Sequence, residues 1–141
     1  MTIKKLIDFI NHHTNNDVTY SNEPWGKDVS KNISCACGAA SHDRIEEVIK
    51  LIRSFSGRDW LALRTDLNLK EKSNFWVECL IYLLDEAYTE EARQMIIYIA
   101  LNGTEDNFFD AMKYIQSFRR DVSIYTWLKL KNRASEISRS N

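Results

Sequence analysis

The 141-residue sequence is poor in the residues that interrupt regular structure, because it has one proline and four glycines. So few turn-forming residues disfavour a β fold, which needs many tight turns between short strands. The chain has three cysteines, a small and odd number that does not suit a disulfide framework. No apolar run approaches the roughly 18 residues of a membrane span, and Asp8 interrupts the N-terminal apolar stretch before a secretory leader could form. We therefore expect a cytoplasmic protein that does not insert into membranes.

What the sequence does contain is a succession of helical patterns. Apolar residues recur at spacings of three and four through most of the chain, as in Ile45, Val48, Ile49 and Ile52. Expected N-caps are Ser41, Asn68, Thr89 and Thr104, and expected left-handed C-caps are Gly57 and Gly103. The pattern predicts an all-α fold of six to seven antiparallel helices. They would form either a compact bundle or a short HEAT-like array of helical hairpins.

We expect one helical domain over residues 1–141, with a less regular part at 1–40 and the main helical array at 41–138. The first helix is predicted at 2–14, where apolar residues again follow helical spacing. A helix at 24–36 is predicted because apolar residues recur there every four positions.

The most hydrophobic helix is predicted at 71–87, opened by Asn68, and it is apolar almost all round. A helix without a polar face belongs in the middle of its domain. The sequence therefore predicts that this helix is the centre of the core.

Candidate catalytic and metal-binding residues are few. Cys35 and Cys37, with His42 nearby, are separated by one residue, whereas zinc-binding cysteine pairs are usually separated by two to four. His12 and His13 stand at the end of the first helix without a nucleophile or an orienting carboxylate that could be named. We therefore predict no metal, no cofactor and no enzymatic activity.

Charge is distributed unevenly along the chain, although the net charge is only -1. Residues 66–110 hold ten acidic and three basic side chains, whereas residues 111–141 hold seven basic and two acidic ones. The basic residues of the C-terminal part are Lys113, Arg119, Arg120, Lys129, Lys131, Arg133 and Arg139. The acidic segment beside them would repel phosphate, so nucleic acid is not the expected partner.

The acidic side chains of residues 66–110 cluster at two helix–helix turns. The expected partner-binding residues are Asp85, Glu86, Glu90, Glu91, Glu105 and Asp106, together with Trp25. First-turn carboxylates also favour the helix dipole, which is a structural explanation for Glu90, Glu91, Glu105 and Asp106. The alternative is an acidic surface that receives a basic protein. Trp25 lies in a polar stretch and is either a core residue or an anchor at that contact.

In its size, its succession of helices, its near-neutral to acidic charge and its many Asn and Ser residues, the chain resembles the small all-helical immunity proteins. Those proteins neutralise bacterial toxin domains, including the toxins of contact-dependent growth inhibition. The resemblance implies a cytoplasmic inhibitor whose partner is a basic, nuclease-like toxin domain. A generic helical scaffold or adaptor is the alternative, as is a nucleic-acid-associated protein that uses the basic C-terminal helix. The oligomeric state stays open.

Overall fold

The computed structural model describes the backbone of residues 2–15 and 42–140, and every regular element in those ranges is helical. The α-helices are α1 (Thr2–Asn15), α2 (His42–Arg53), α3 (Gly57–Asp66), α4 (Asn74–Ala87), α5 (Glu90–Asn102), α6 (Glu105–Ile115) and α7 (Ile124–Ser140). Short 3₁₀ turns at Leu69–Glu71 and Gln116–Asp121 precede α4 and follow α6. The predicted all-α fold is confirmed. The helix predicted at 24–36 and the N-cap predicted at Ser41 lie outside the described residues.

Hydroxyl side chains define the beginnings of five helices, since each accepts a hydrogen bond from a first-turn backbone N–H. The caps are Ser56 for α3, Ser73 for α4, Thr89 for α5, Thr104 for α6 and Ser123 for α7. The predictions for Thr89 and Thr104 are therefore confirmed. The prediction for Asn68 is wrong, because its side chain makes no cap bond and α4 begins only at Asn74. Burial of Leu69 holds the chain in a separate 3₁₀ turn before Ser73 can open the helix.

Neither predicted glycine cap is left-handed. Gly57 is the first residue of α3 rather than the end of α2. Gly103 does follow α5, but its φ of -87° is open to any residue. The left-handed cap belongs instead to Tyr88 after α4, with a φ of 57°. Its ring centroid lies 4.3 Å from the guanidinium carbon of Arg93, a cation–π contact that supports this conformation.

Helix α4 lies in the middle of the core and packs against α1, α2, α5 and α6. Its fully buried side chains are Val77, Cys79, Leu80, Ile81, Leu83 and Leu84. The indole N–H of Trp76 donates to Asn11 Oδ1 at 2.7 Å and so ties α4 to α1. The prediction that the most apolar helix lies at the centre of the core is confirmed, although this helix is shorter than predicted.

Alternate helices contact each other at nearly constant sequence separations. Such contacts join Arg53 to Ala87, Arg64 to Tyr98, Asn74 to Asp106 and Gly103 to Arg133, at separations of 34, 34, 32 and 30 residues. Helices α2, α4 and α6 therefore form one row, and α3, α5 and α7 form another. Successive hairpins stack in this way in a helical-hairpin array, one of the two arrangements predicted. Within residues 2–15 and 42–140, every helix is too short or too polar to span a lipid bilayer.

Candidate functional site: an acidic seam between α4 and α6

Polar residues follow one side of α4 at intervals of one turn, where that helix meets α6. Asn74 Nδ2 donates to Asp106 Oδ2 at 2.8 Å, and one turn further the side chains of Glu78 and Asp110 share a hydrogen bond. Both pairs are 32 residues apart, since residues four apart on each helix lie on the same face. We define the acidic seam as Glu78 and Asp85 of α4 with Asp106 and Asp110 of α6.

The side chains of Glu78 and Asp110 lie close enough for each to shift the pKa of the other. Burial raises the pKa of Glu78 to about 7, and the charge of Asp110 and the hydrogen bond to it act in the same direction. Burial also raises the pKa of Asp110, whereas Lys113, 3.7 Å away, and the hydrogen bond from Glu78 lower it. The two acids interact, so they titrate as a pair, and burial is the main cause of the raised pKa of both.

Further along the seam, two more groups respond to the same accumulation of negative charge. Burial raises the pKa of Asp85, the charge of Glu86 adds to this effect, and Arg93 opposes it. Burial raises the pKa of Tyr114 to about 12, and Asp85 and Glu78 contribute to that shift. The phenol therefore stays protonated at neutral pH. Lys113 and Arg93 offset only part of the charge, because the net effect on each of these acids is still an increase in pKa.

A carboxylate destabilised by burial and by neighbouring carboxylates becomes more stable when an external cation approaches. The seam therefore suits a lysine or arginine side chain supplied by another molecule. An acid with a pKa near 7 beside an ionised partner is also the pairing used in general acid–base chemistry. Among the side chains that the structure describes, no group of three or more His, Cys, Asp or Glu is arranged to hold a metal ion.

The acidic residues predicted from the sequence do not form one cluster. Asp85 and Asp106 both belong to the seam, but at different ends. Asp106 contacts Asn74, which precedes Asp85 by 11 residues, or about 16 Å along the helix axis. Glu78 lies between these positions on α4, and the charges of Glu78 and Asp85 both act on Tyr114 of α6. Glu78 was not predicted, because it stands within the apolar run of α4 and away from the helix–helix turns. Asp110 groups with Glu105 and Asp106 around the second turn, but it was not among the expected partner-binding residues.

The other predicted acidic residues lie outside the seam. Glu90 accepts a hydrogen bond from Gln94 at 3.0 Å and lies 3.9 Å from Arg93, so its charge is partly used within the protein. Glu86, Glu91 and Glu105 are exposed. These four residues therefore do not belong to the seam.

Histidine and cysteine residues were the remaining candidates from the sequence. His12 is exposed and lines a cavity of about 560 Å³ between α1 and α2, next to Lys5, Asp8 and Glu47. The side chains of His13 and His42 lie outside the described part, as do Trp25, Cys35 and Cys37. Cys79 is buried in the core.

The seam is therefore defined by its own geometry and electrostatics. Comparison with protein-family models, with curated proteins and with solved structures gave no match.

Proposed function

We propose that this protein is a non-catalytic binding module that captures a basic protein through the acidic seam. In the manner of the immunity proteins, the partner would be a nuclease-like toxin domain encountered in the cytoplasm. The observation that supports this proposal is the Glu78–Asp110 pair, whose two half-buried acids both have raised pKa values. A surface of this kind is stabilised by a cation from outside.

A partner lysine or arginine would lower the pKa of both acids and favour their ionised forms. It would then make charge-assisted hydrogen bonds to the two carboxylates. The exposed carboxylate of Asp106 acts on Glu78 and Asp110, and exposed Glu86 acts on Asp85 at the other end of the seam. Both charges would accelerate the encounter with a basic surface. A toxin nuclease binds its phosphate substrate with basic residues, so occupying those residues would also block its activity.

The test uses the product of a neighbouring gene that encodes a toxin-like domain. The protein is co-purified with that product, and association and dissociation rates are measured at several salt concentrations. The test variant carries Glu86→Lys and Asp106→Lys, and we expect its association rate to fall on the order of tenfold at low salt. The difference should shrink as salt is raised. Glu90 is kept, because replacing it would disturb its contacts with Gln94 and Arg93.

The matched control carries Glu47→Lys and Glu71→Lys, which make the same change in net charge at exposed positions outside the seam. We expect its association rate to lie within about threefold of that of the parent protein, because long-range steering changes less than local contacts. Equal association rates for the Glu86→Lys, Asp106→Lys variant and the control would show that the interface does not lie on α4 and α6. Turnover of a substrate by the isolated protein would contradict the non-catalytic proposal.

A further inference from the structure

The outer side of α7 exposes three large apolar side chains within its first five residues. Ile124 is 82% exposed, Tyr125 is 69% exposed and Leu128 is 54% exposed. The opposite side of the helix buries Leu130 and Ile137 and packs on α5. Adjacent apolar side chains that point into solvent are characteristic of a surface that another molecule covers.

Positive charge borders these apolar side chains. Lys129 and Lys131 are exposed on the same helix, and Lys129 Nζ lies 4.6 Å from the ring centroid of Tyr125. Lys129 also lines a groove of about 270 Å³ over α5, together with Arg64 of α3. The Nε atom of Arg64 is buried and has no hydrogen-bond partner. We define the α7 face as Ile124, Tyr125, Leu128, Lys129 and Lys131.

The charge of the α7 face restricts what can cover it. Two α7 faces packed against each other would bring the lysines of both copies together, so a symmetric pairing of this helix is opposed by like charge. The counterpart must combine acidic groups with an exposed apolar group. This chain carries such a surface on α6, where Phe109 is 49% exposed and stands one turn from Asp106 in the acidic seam.

We propose that the α7 face docks on the α6 surface of a second copy of the chain, in a head-to-tail contact. The two surfaces belong to different helix rows, with α6 beside α4 and α7 beside α5. After the first contact one copy keeps its α6 surface unpaired and the other keeps its α7 face unpaired. Such a heterologous interface continues into longer assemblies or closes into a ring.

The first measurement is the mass of the purified protein by sedimentation velocity over a range of concentrations. At about 0.1 M salt we expect the mass to rise with concentration. At about 1 M salt we expect a monomer, since the screening length falls from about 10 Å to about 3 Å. A monomer at every concentration in low salt would overturn the proposal.

Two complementary variants test the head-to-tail geometry. The variant with Leu128→Glu and Lys129→Glu has an α7 face that can no longer bind. The variant with Asp106→Lys and Phe109→Ser has an α6 surface that can no longer bind. Each variant alone should stay monomeric. An equimolar mixture should give a one-to-one dimer and nothing larger, because only one intact surface of each kind remains. Circular dichroism confirms that the exposed substitutions leave the helices folded.

Arg139→Glu is the matched control on α7, because it reverses an exposed charge about 15 Å along the helix from Lys129. We expect this variant to associate like the parent protein. Assembly by either double variant alone, or a mixture that stays monomeric, would contradict the head-to-tail contact. These measurements need no toxin partner, so their outcome is separate from that of the proposed function.

Discussion

At the scale of single residues, Gly103 and Gly57 differ in the space around them. A Cβ atom at Gly103 would lie 2.6 Å from Asn107 Oδ1 and 2.8 Å from the backbone oxygen of Ile99, whereas one at Gly57 would meet nothing within 4 Å. Asn107 is held in place because its Oδ1 accepts the backbone N–H of Thr104 at 3.0 Å. The small size of Gly103, rather than its backbone conformation, is what this corner requires.

We therefore expect Gly103→Ala to lower the free energy of unfolding by about 1–3 kcal/mol, since the side chain would have to displace the Thr104 cap. Gly57→Ala should change it by less than about 1 kcal/mol, because the position is open. Urea unfolding followed by circular dichroism measures both variants. Equal losses at the two positions would show that backbone freedom, rather than space, determines the cost.

Glu78 is expected to make stability depend on pH. Because burial raises its pKa from 4.5 to about 7, the folded protein keeps a proton that the unfolded chain releases within that window. Stability should therefore fall as pH rises from about 4.5 to about 7 and then level off. Glu78→Gln should remove this fall and stabilise the protein at pH 8, on the order of 1 kcal/mol after allowance for solvent screening of a half-buried group.

Urea unfolding of the parent and Glu78→Gln proteins at pH 5 and pH 8 tests this expectation. The stabilities of the two proteins should differ less at pH 5 than at pH 8, because folded Glu78 still keeps its proton at pH 5. Glu71→Gln, at an exposed position in the 3₁₀ turn before α4, is the control. A Glu78→Gln protein with the full pH dependence of the parent would mean that Glu78 is not the group that titrates.

At the scale of elements, α4 determines the stability of the whole array, since it contacts α1, α2, α5 and α6. Leu80 is fully buried, so Leu80→Ala should cost on the order of 2–5 kcal/mol through lost burial and a residual cavity. Leu61→Ala should cost less than about 1 kcal/mol, because Leu61 is 62% exposed. Hydrogen exchange should also be slowest for the α4 amides. Faster exchange in α4 than in α7 would contradict this central role.

The element boundaries show which features can be predicted locally. Thr89 and Thr104 could be identified as caps because a hydroxyl, a first turn and an apolar pattern all lie within a few residues. The start of α4 could not be placed in this way, since Asn68 and Ser73 both precede the same apolar run. Burial of Leu69 decides between them, and that burial depends on the rest of the fold. The left-handed conformation of Tyr88 is likewise not indicated by its residue type, and its ring contacts Arg93 of the next helix.

At the scale of the whole molecule, the helical class and the order of the helices could be predicted because they follow from local periodicity. The seam could not, because Glu78 and Asp110 meet only through a 32-residue register between α4 and α6. Contacts between alternate helices recur at separations of 30 to 34 residues, but the residue types differ at each contact. No sequence repeat therefore reveals this register. The accumulation of acidic residues in 66–110 indicated the right part of the chain. It did not identify the pair at the centre of the seam.

The hydrogen bond between Trp76 and Asn11 gives the molecule an optical reporter of its own first helix. The indole is buried, and its N–H donates across the α1–α4 contact at 2.7 Å. Separation of α1 from α4 would replace the Asn11 oxygen with water and shift the emission of this tryptophan to longer wavelength. In a variant whose other three tryptophans are replaced by phenylalanine, fluorescence can thus follow the state of α1 in solution.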